Sequence, residues 1–110
     1  MNISNIAQTR YTTKAFDSTR KIPADQMSQL RDLLRYAPSS VNSQPWHYVM
    51  SDSEEGKARI AKSTAAAYTF NTPKIQNASH VIVFCARQDM DNAHFDALLE
   101  QEQKDGRFAT

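Results

Sequence analysis

Three short stretches of this chain carry residue types that can do chemistry. In Arg10-Tyr11-Thr12-Thr13-Lys14, the alternation of an extended segment would put Arg10, Thr12 and Lys14 on one side. Two cations and a hydroxyl on one face can hold a phosphate or stabilise negative charge on a ring system, the arginine as a planar fork and the lysine as a point charge. The same residues suit a solvated surface loop, and spacing alone does not choose between the two. The second stretch sets Ser39, Ser40, Asn42 and Gln44 between Pro38 and Pro45. It reads either as a rigid hydrogen-bonding rim for a planar polar ligand or as ordinary turn chemistry joining a helix to a strand. The third gathers Tyr68, Phe70, Asn71 and Lys74. Its aromatics could cover a ring while an amide and an ammonium address the polar edge. They could equally be core aromatics beside a turn made by Asn71 and Pro73.

Scarce residue types exclude several chemistries. With only two glycines, Gly56 and Gly106, the chain can spell neither a G-x-G-x-x-G turn nor a Walker A loop. Cys85 is the single cysteine, which excludes an internal disulfide, a C-x-x-C pair and a multi-cysteine zinc site. His47, His80 and His94 share no metal-ligand spacing, so structural roles and no metal are expected. Ser39 and Ser40 lack the G-x-S-x-G context of a hydrolase elbow. Thirteen Lys and Arg against twelve Asp and Glu leave a formal charge of +1, so no strong field draws the chain to nucleic acid or a membrane. The opening residues have no basic stretch before an apolar one, and the apolar run from Val81 to Ala86 falls far short of the roughly 20 residues that span a bilayer. A soluble, cytoplasmic protein is expected.

Periodicity supplies the elements that must position these residues. Ile3, Ile6 and Ala7 predict a short opening helix that ends before the polar stretch from Arg10 to Lys21. Ile22-Pro23-Ala24 opens a second helix, with Met27, Leu30, Leu33, Leu34 and Ala37 on its apolar face and Pro38 as its stop. Trp46 to Met50 predicts a strand. Ser53, followed by Glu54 and Glu55, predicts a capped helix running to about Ala66 and broken by the segment from Tyr68 to Pro73. His80 to Ala86 predicts the best strand, and its unbroken apolar run implies burial on both faces. A last helix from about Asp91 to Gln103 carries Ala93, Ala97 and Leu98. At 110 residues and 40% hydrophobic content the chain is one domain-sized unit of α/β or α+β type. Two strands make a poor independent sheet, so a piece of a larger fold, or a protomer completed by a partner, is expected.

Taken in order, these segments resemble the FMN-dependent nitroreductase family. The residues that carry the resemblance are Arg10 to Asp17, Pro38 to His47, Glu54 to Arg59, Ala78 to Ala86 and Asp105 to Thr110. The resemblance implies an α+β, nitroreductase-like fold with a central sheet flanked by helices. Residues 1–110 would form the N-terminal half of a single domain about twice as long. It also implies an FMN-dependent NAD(P)H oxidoreductase that reduces small nitroaromatics, quinones or pteridines by two electrons in ping-pong order, and a homodimer with FMN at the subunit interface. By the same resemblance, Arg10, Thr12 and Lys14 contact FMN from one subunit, and Thr12 keeps the hydroxyl that relatives carry on Ser. Asn71 addresses the flavin ring, while Pro38, Ser39, Ser40 and Asn42 reach it from the other subunit. Lys14, Asn71, Lys74 and Arg107 match positions associated with the nicotinamide nucleotide. Tyr68 and Phe70 match substrate-pocket residues, and Val41 replaces a Thr near the ring. The flavin carries the chemistry, so no protein nucleophile or general base is implied. Two other readings stay open: a catalytically inactive, truncated remnant that associates with partner chains, and a small ligand-binding module unrelated to redox chemistry.

Overall fold

A computed structural model describes residues 1–109. Its chain order is α1 (Ile3–Thr9), α2 (Ala24–Tyr36), β1 (Trp46–Ser51), α3 (Glu54–Ala61), α4 (Thr72–Asn77), β2 (Val81–Ala86) and α5 (Asn92–Lys104), with 3-10 turns at Ser40–Asn42, Lys62–Thr64 and Ala66–Asn71. None of these helices is long and apolar enough to cross a membrane. The chain divides into two compact units, one made of Met1–Ile22 with Ser51–Val81, the other of Pro23–Met50 with the chain from Ile82 onward.

In the first unit, Asn2 caps α1 by accepting from the Asn5 N–H at 3.0 Å, and the backbone turns extended at Arg10. Residues 10–17 then run without helix or strand pairing. At the end of that segment Asp17 accepts from the hydroxyl and the N–H of Thr19, at 2.6 and 2.9 Å. Those two bonds, the hydroxyl first, hold its carboxyl below the usual aspartate range. Helix α3 starts as expected, with Ser53 accepting from the Gly56 N–H at 3.0 Å and Glu54 and Glu55 in the first turn. A Cβ at Gly56 would crowd the Ser51 hydroxyl and the capping Ser53 hydroxyl, so a larger residue there would have to displace them.

Lys57 is the anchor of this unit, with 1% of its surface exposed. Its ammonium has three donors, and all three are used. They reach the Gln76 and Ala78 carbonyls, each at 3.0 Å, and the Glu54 carboxylate at 2.8 Å. The two carbonyls belong to the C-terminal end of α4, where a cation is favoured and unpaired oxygens need donors. Beside it, the Thr64 hydroxyl donates to the Ala61 carbonyl at 2.7 Å and so accepts from Thr72, 2.6 Å away.

Two expectations are corrected in this unit. Helix α3 stops at Ala61 rather than near Ala66, because the chain tightens into 3-10 turns. The segment from Tyr68 to Pro73 also does more than break a helix. Thr72 and Pro73 open α4, where proline lacks only an N–H that the first turn cannot use.

In the second unit, α2 has the expected bounds, ending at Tyr36 before Pro38. Met27 is buried and Leu30, Leu34 and Ala37 are half-buried, but Leu33 lies off the covered face and is exposed. Strands β1 and β2 form a two-stranded sheet among the described residues. The Arg87 N–H bonds the Pro45 carbonyl at 2.7 Å, which sets the start of β1 opposite the end of β2 and makes the pair antiparallel. In that register Tyr48 faces Phe84 across a closely spaced pair, and their rings meet edge to face at 5.5 Å. Trp46, Tyr48 and Met50 alternate onto the half-buried face of β1, while His47 and Val49 are exposed. The expectation that β2 is buried on both faces fails. Its residues are half-buried at most, and Phe84 is left 71% exposed among the described residues.

Candidate functional site

The candidate residues of the first unit form two groups. Arg10, Thr12 and Lys14 are all exposed on the irregular segment after α1. Among the described residues no carboxylate lies within ion-pair distance of Arg10 or Lys14. Two cations beside a hydroxyl are thus uncommitted, the condition in which they can neutralise an anionic group.

The second group is held together. Lys74 donates to the Asn71 side-chain oxygen at 3.0 Å and stands 5.1 Å over the Phe70 ring centroid. Tyr68 lies beside it, with ring centroids 6.5 Å apart and planes inclined by 59°. Both aromatics are more than half exposed, so they are not the core residues that composition also allowed. The Asn71 oxygen is engaged, and its amide nitrogen has no partner among the described residues. This arrangement presents a donor and a cation beside two open ring faces, suited to a planar ligand with acceptor atoms on its edge.

In the second unit the Pro38–Pro45 segment is neither a plain turn nor a slack loop. Val41, Asn42 and Gln44 all lie in the left-handed region, at φ 47°, 54° and 48°. Side chains other than glycine rarely adopt this conformation, least of all a β-branched one. Local bonds hold it. Ser39 Oγ accepts from the Gln44 N–H at 3.0 Å, the Ser39 carbonyl from the Asn42 N–H at 3.0 Å, and Asn42 Oδ1 from the Gln44 amide at 3.1 Å. Ser40 and Val41 are left exposed.

Helix α5 supplies the remaining support. Its half-buried residues are His94, Leu98 and Glu102, spaced four apart on one face. The expected apolar residues Ala93 and Ala97 are exposed instead. His94 Nε2 meets the buried Ser43 carbonyl at 2.6 Å, and since a carbonyl only accepts, that nitrogen carries the proton. One oxygen of Glu102 accepts from the Asn42 amide at 2.7 Å and also pairs with the Arg107 guanidinium. The structure thus brings Ser39, Asn42 and Arg107 into one connected network. Sequence reasoning passed over Glu102 and assigned His94 only a structural role. The spacing of His94, Leu98 and Glu102 was the available signal.

The other histidines do not gather. His80 Nδ1 lies 2.8 Å from the Ser79 hydroxyl, which itself accepts from the Ile22 N–H. His47 is exposed on β1. A cleft of about 230 Å³ opens between α2 and β1, with Arg31 and Arg35 on one side and Trp46 and Tyr48 on the other. Gln44 of the loop lines it, but Ser39, Ser40 and Asn42 are not among its lining residues.

A family model described as the nitroreductase family matches residues 7–110. The chain belongs to the nitroreductase family. Its curated relatives in that family include the oxygen-insensitive NAD(P)H nitroreductase of Salmonella typhimurium, 53% identical over the whole of this chain. The enzyme of the same name from Enterobacter cloacae is 50% identical over the same span. The chain covers 51% of the length of each, about half of the curated nitroreductases it matches. Among solved structures, a protein of Exiguobacterium sibiricum described as a nitroreductase in complex with FMN superimposes with a TM-score of 0.70. It is 29% identical, and the match covers 99% of this chain and 50% of that one. The α+β arrangement described above is therefore that of a nitroreductase.

Proposed function

We propose that this chain is the N-terminal half of a single nitroreductase domain and contributes to an FMN-dependent NAD(P)H oxidoreductase. Its substrates would be small nitroaromatics, quinones or pteridines, reduced by two electrons in ping-pong order in a cytoplasmic homodimer. The observation that supports this best is the donor set of a chain matching an FMN-bound structure. Arg10 and Lys14 are exposed cations without carboxylate partners among the described residues. The Asn71 amide nitrogen, beside Lys74, has no partner among the described residues. Such groups fit FMN, which carries a phosphate and a ring edged with acceptors.

When bound, FMN supplies the hydride and electron chemistry, so the chain's residues need only bind, orient and polarise. Arg10 and Thr12 would hold the cofactor, with Asn71 donating to its ring edge. Lys14 would place positive charge where the reduced cofactor is most negative, raising its potential. Pro38, Ser39, Ser40 and Asn42 would present a preformed rim to the cofactor of the neighbouring subunit. Lys74 and Arg107, with Lys14 and Asn71, would receive the nicotinamide nucleotide. Tyr68 and Phe70 would cover the substrate ring, and Val41 would border it.

Lys14→Ala tests this reading. Flavin titration is expected to show about tenfold weaker FMN binding, the scale of one lost charge-assisted contact, together with a lower flavin reduction potential. An affinity and potential equal to those of the parent would remove Lys14 from the site.

A further inference from the structure

We infer that Glu102 is a positioning residue that sets the ligand-facing conformation of the Pro38–Pro45 loop and ties it to Arg107. The inference rests on the proposed role of Asn42 and Arg107 in ligand binding, but its structural part stands on geometry alone.

The loop carries left-handed backbone at three non-glycine residues within four positions. Such conformations persist only where surrounding contacts over-determine them. The bonds among Ser39, Asn42 and Gln44 come from within the loop and would move with it. The Arg87 N–H fixes its last residue at the Pro45 carbonyl. Among the described residues, the side-chain bonds that reach its interior from outside come from α5, through two points on one helix face. His94 fixes the backbone at Ser43, and Glu102 fixes the side chain of Asn42. The second point differs in kind, because its target is a candidate ligand-binding side chain. With Asn42 Nδ2 donating to Glu102 and Asn42 Oδ1 accepting from Gln44, the plane of the amide is set.

The same Glu102 oxygen holds Arg107, which lies just past the C-terminal end of α5. Its carboxylate is mostly covered, with 14% of the side chain exposed. A covered carboxylate needs donors, and these two satisfy it. Asn42 and Arg107 therefore share one acceptor oxygen. If an anionic ligand group draws Arg107 away, Asn42 remains as the donor to Glu102 and the amide is held more firmly. Arrival of a negative group at Arg107 is thereby coupled to order in the loop.

Two variants separate this role from plain stability. Glu102→Gln keeps an oxygen that can accept from Asn42 but loses the charge that holds Arg107, whereas Glu102→Ala loses both. Amide hydrogen exchange on the protein without added ligand is expected to rise at least fivefold at Asn42, Ser43 and Gln44 in the alanine variant. The glutamine variant should restore most of that protection, with α2 and α3 unchanged in both. FMN binding by flavin titration is expected to weaken about tenfold in the alanine variant and less in the glutamine variant. Equal protection of the loop in all three proteins would overturn the inference. Protection lost equally from α2, α3 and the loop would also overturn it, by assigning Glu102 a general structural role. If the parent protein binds no FMN, the proposed function fails, while the exchange comparison still decides whether Glu102 positions the loop.

Discussion

Lys57 in the first unit and Glu102 in the second are both charged side chains that gather groups from distant parts of the sequence, but they gather different things. Lys57 collects two backbone carbonyls 19 and 21 residues away, plus the adjacent Glu54. Glu102 collects two side-chain donors, one of them 60 residues away and both candidates for ligand binding. Backbone oxygens at a helix end need a donor whether or not a ligand ever arrives. Side chains such as Asn42 and Arg107 could turn elsewhere, so what Glu102 fixes is their direction. The contrast separates a residue on which folding depends from one on which recognition depends.

The largest effect is expected from Lys57→Met. This change keeps the buried stem and removes the ammonium, leaving the Gln76 and Ala78 carbonyls without their donor. A loss of about 3 kcal/mol is expected in urea denaturation. A loss under about 1 kcal/mol would mean that water or a shifted α4 takes over the carbonyls, and the contrast with Glu102 would collapse.

A smaller loss is expected from His94→Phe, which fills similar space but leaves the buried Ser43 carbonyl unpaired. About 1–2 kcal/mol should be lost in thermal denaturation, with faster amide exchange confined to the loop. Exchange spreading through the sheet would show that α5 supports the whole second unit rather than the loop.

The smallest effect is expected from acid. The hydrogen bond from Lys57, and then its charge, hold the Glu54 carboxyl below its ordinary value of 4.5. A depressed value in the folded state gives stabilisation that is complete above that ordinary value. It is lost as pH falls through the lowered one. Glu54→Gln should therefore flatten the decline of melting temperature below pH 4.5, slightly because Glu54 is exposed. Identical declines in the two proteins would show that Lys57 is held by its carbonyls alone.

Much of the frame was legible because its causes are local. Helix α2 announced itself through apolar spacing between two prolines, and α3 through Ser53 and the glutamates behind it. Helix α4 was hidden because Pro73 reads as a breaker unless its place in the first turn is known. The run in β2 encodes a strand, but its burial depends on what packs against it, which the strand's own residues do not state. Arg10, Asn42 and Arg107 stood out through the family motifs they belong to. Glu102 did not, because its role is defined by a partner 60 residues away, and glutamate late in a helix otherwise reads as solvated surface.

The left-handed backbone at Val41 has a consequence for how this protein accepts mutation. A β-branched residue there is strained on the order of 1–3 kcal/mol, and glycine or asparagine would relieve that strain. The side chain itself is 87% exposed, so replacing it disturbs no packing. Most random changes in a folded protein reduce its stability. At residue 41 some changes instead add stability while altering the surface beside Asn42. A library built on this loop would therefore meet one position where new specificity and greater robustness can be selected together.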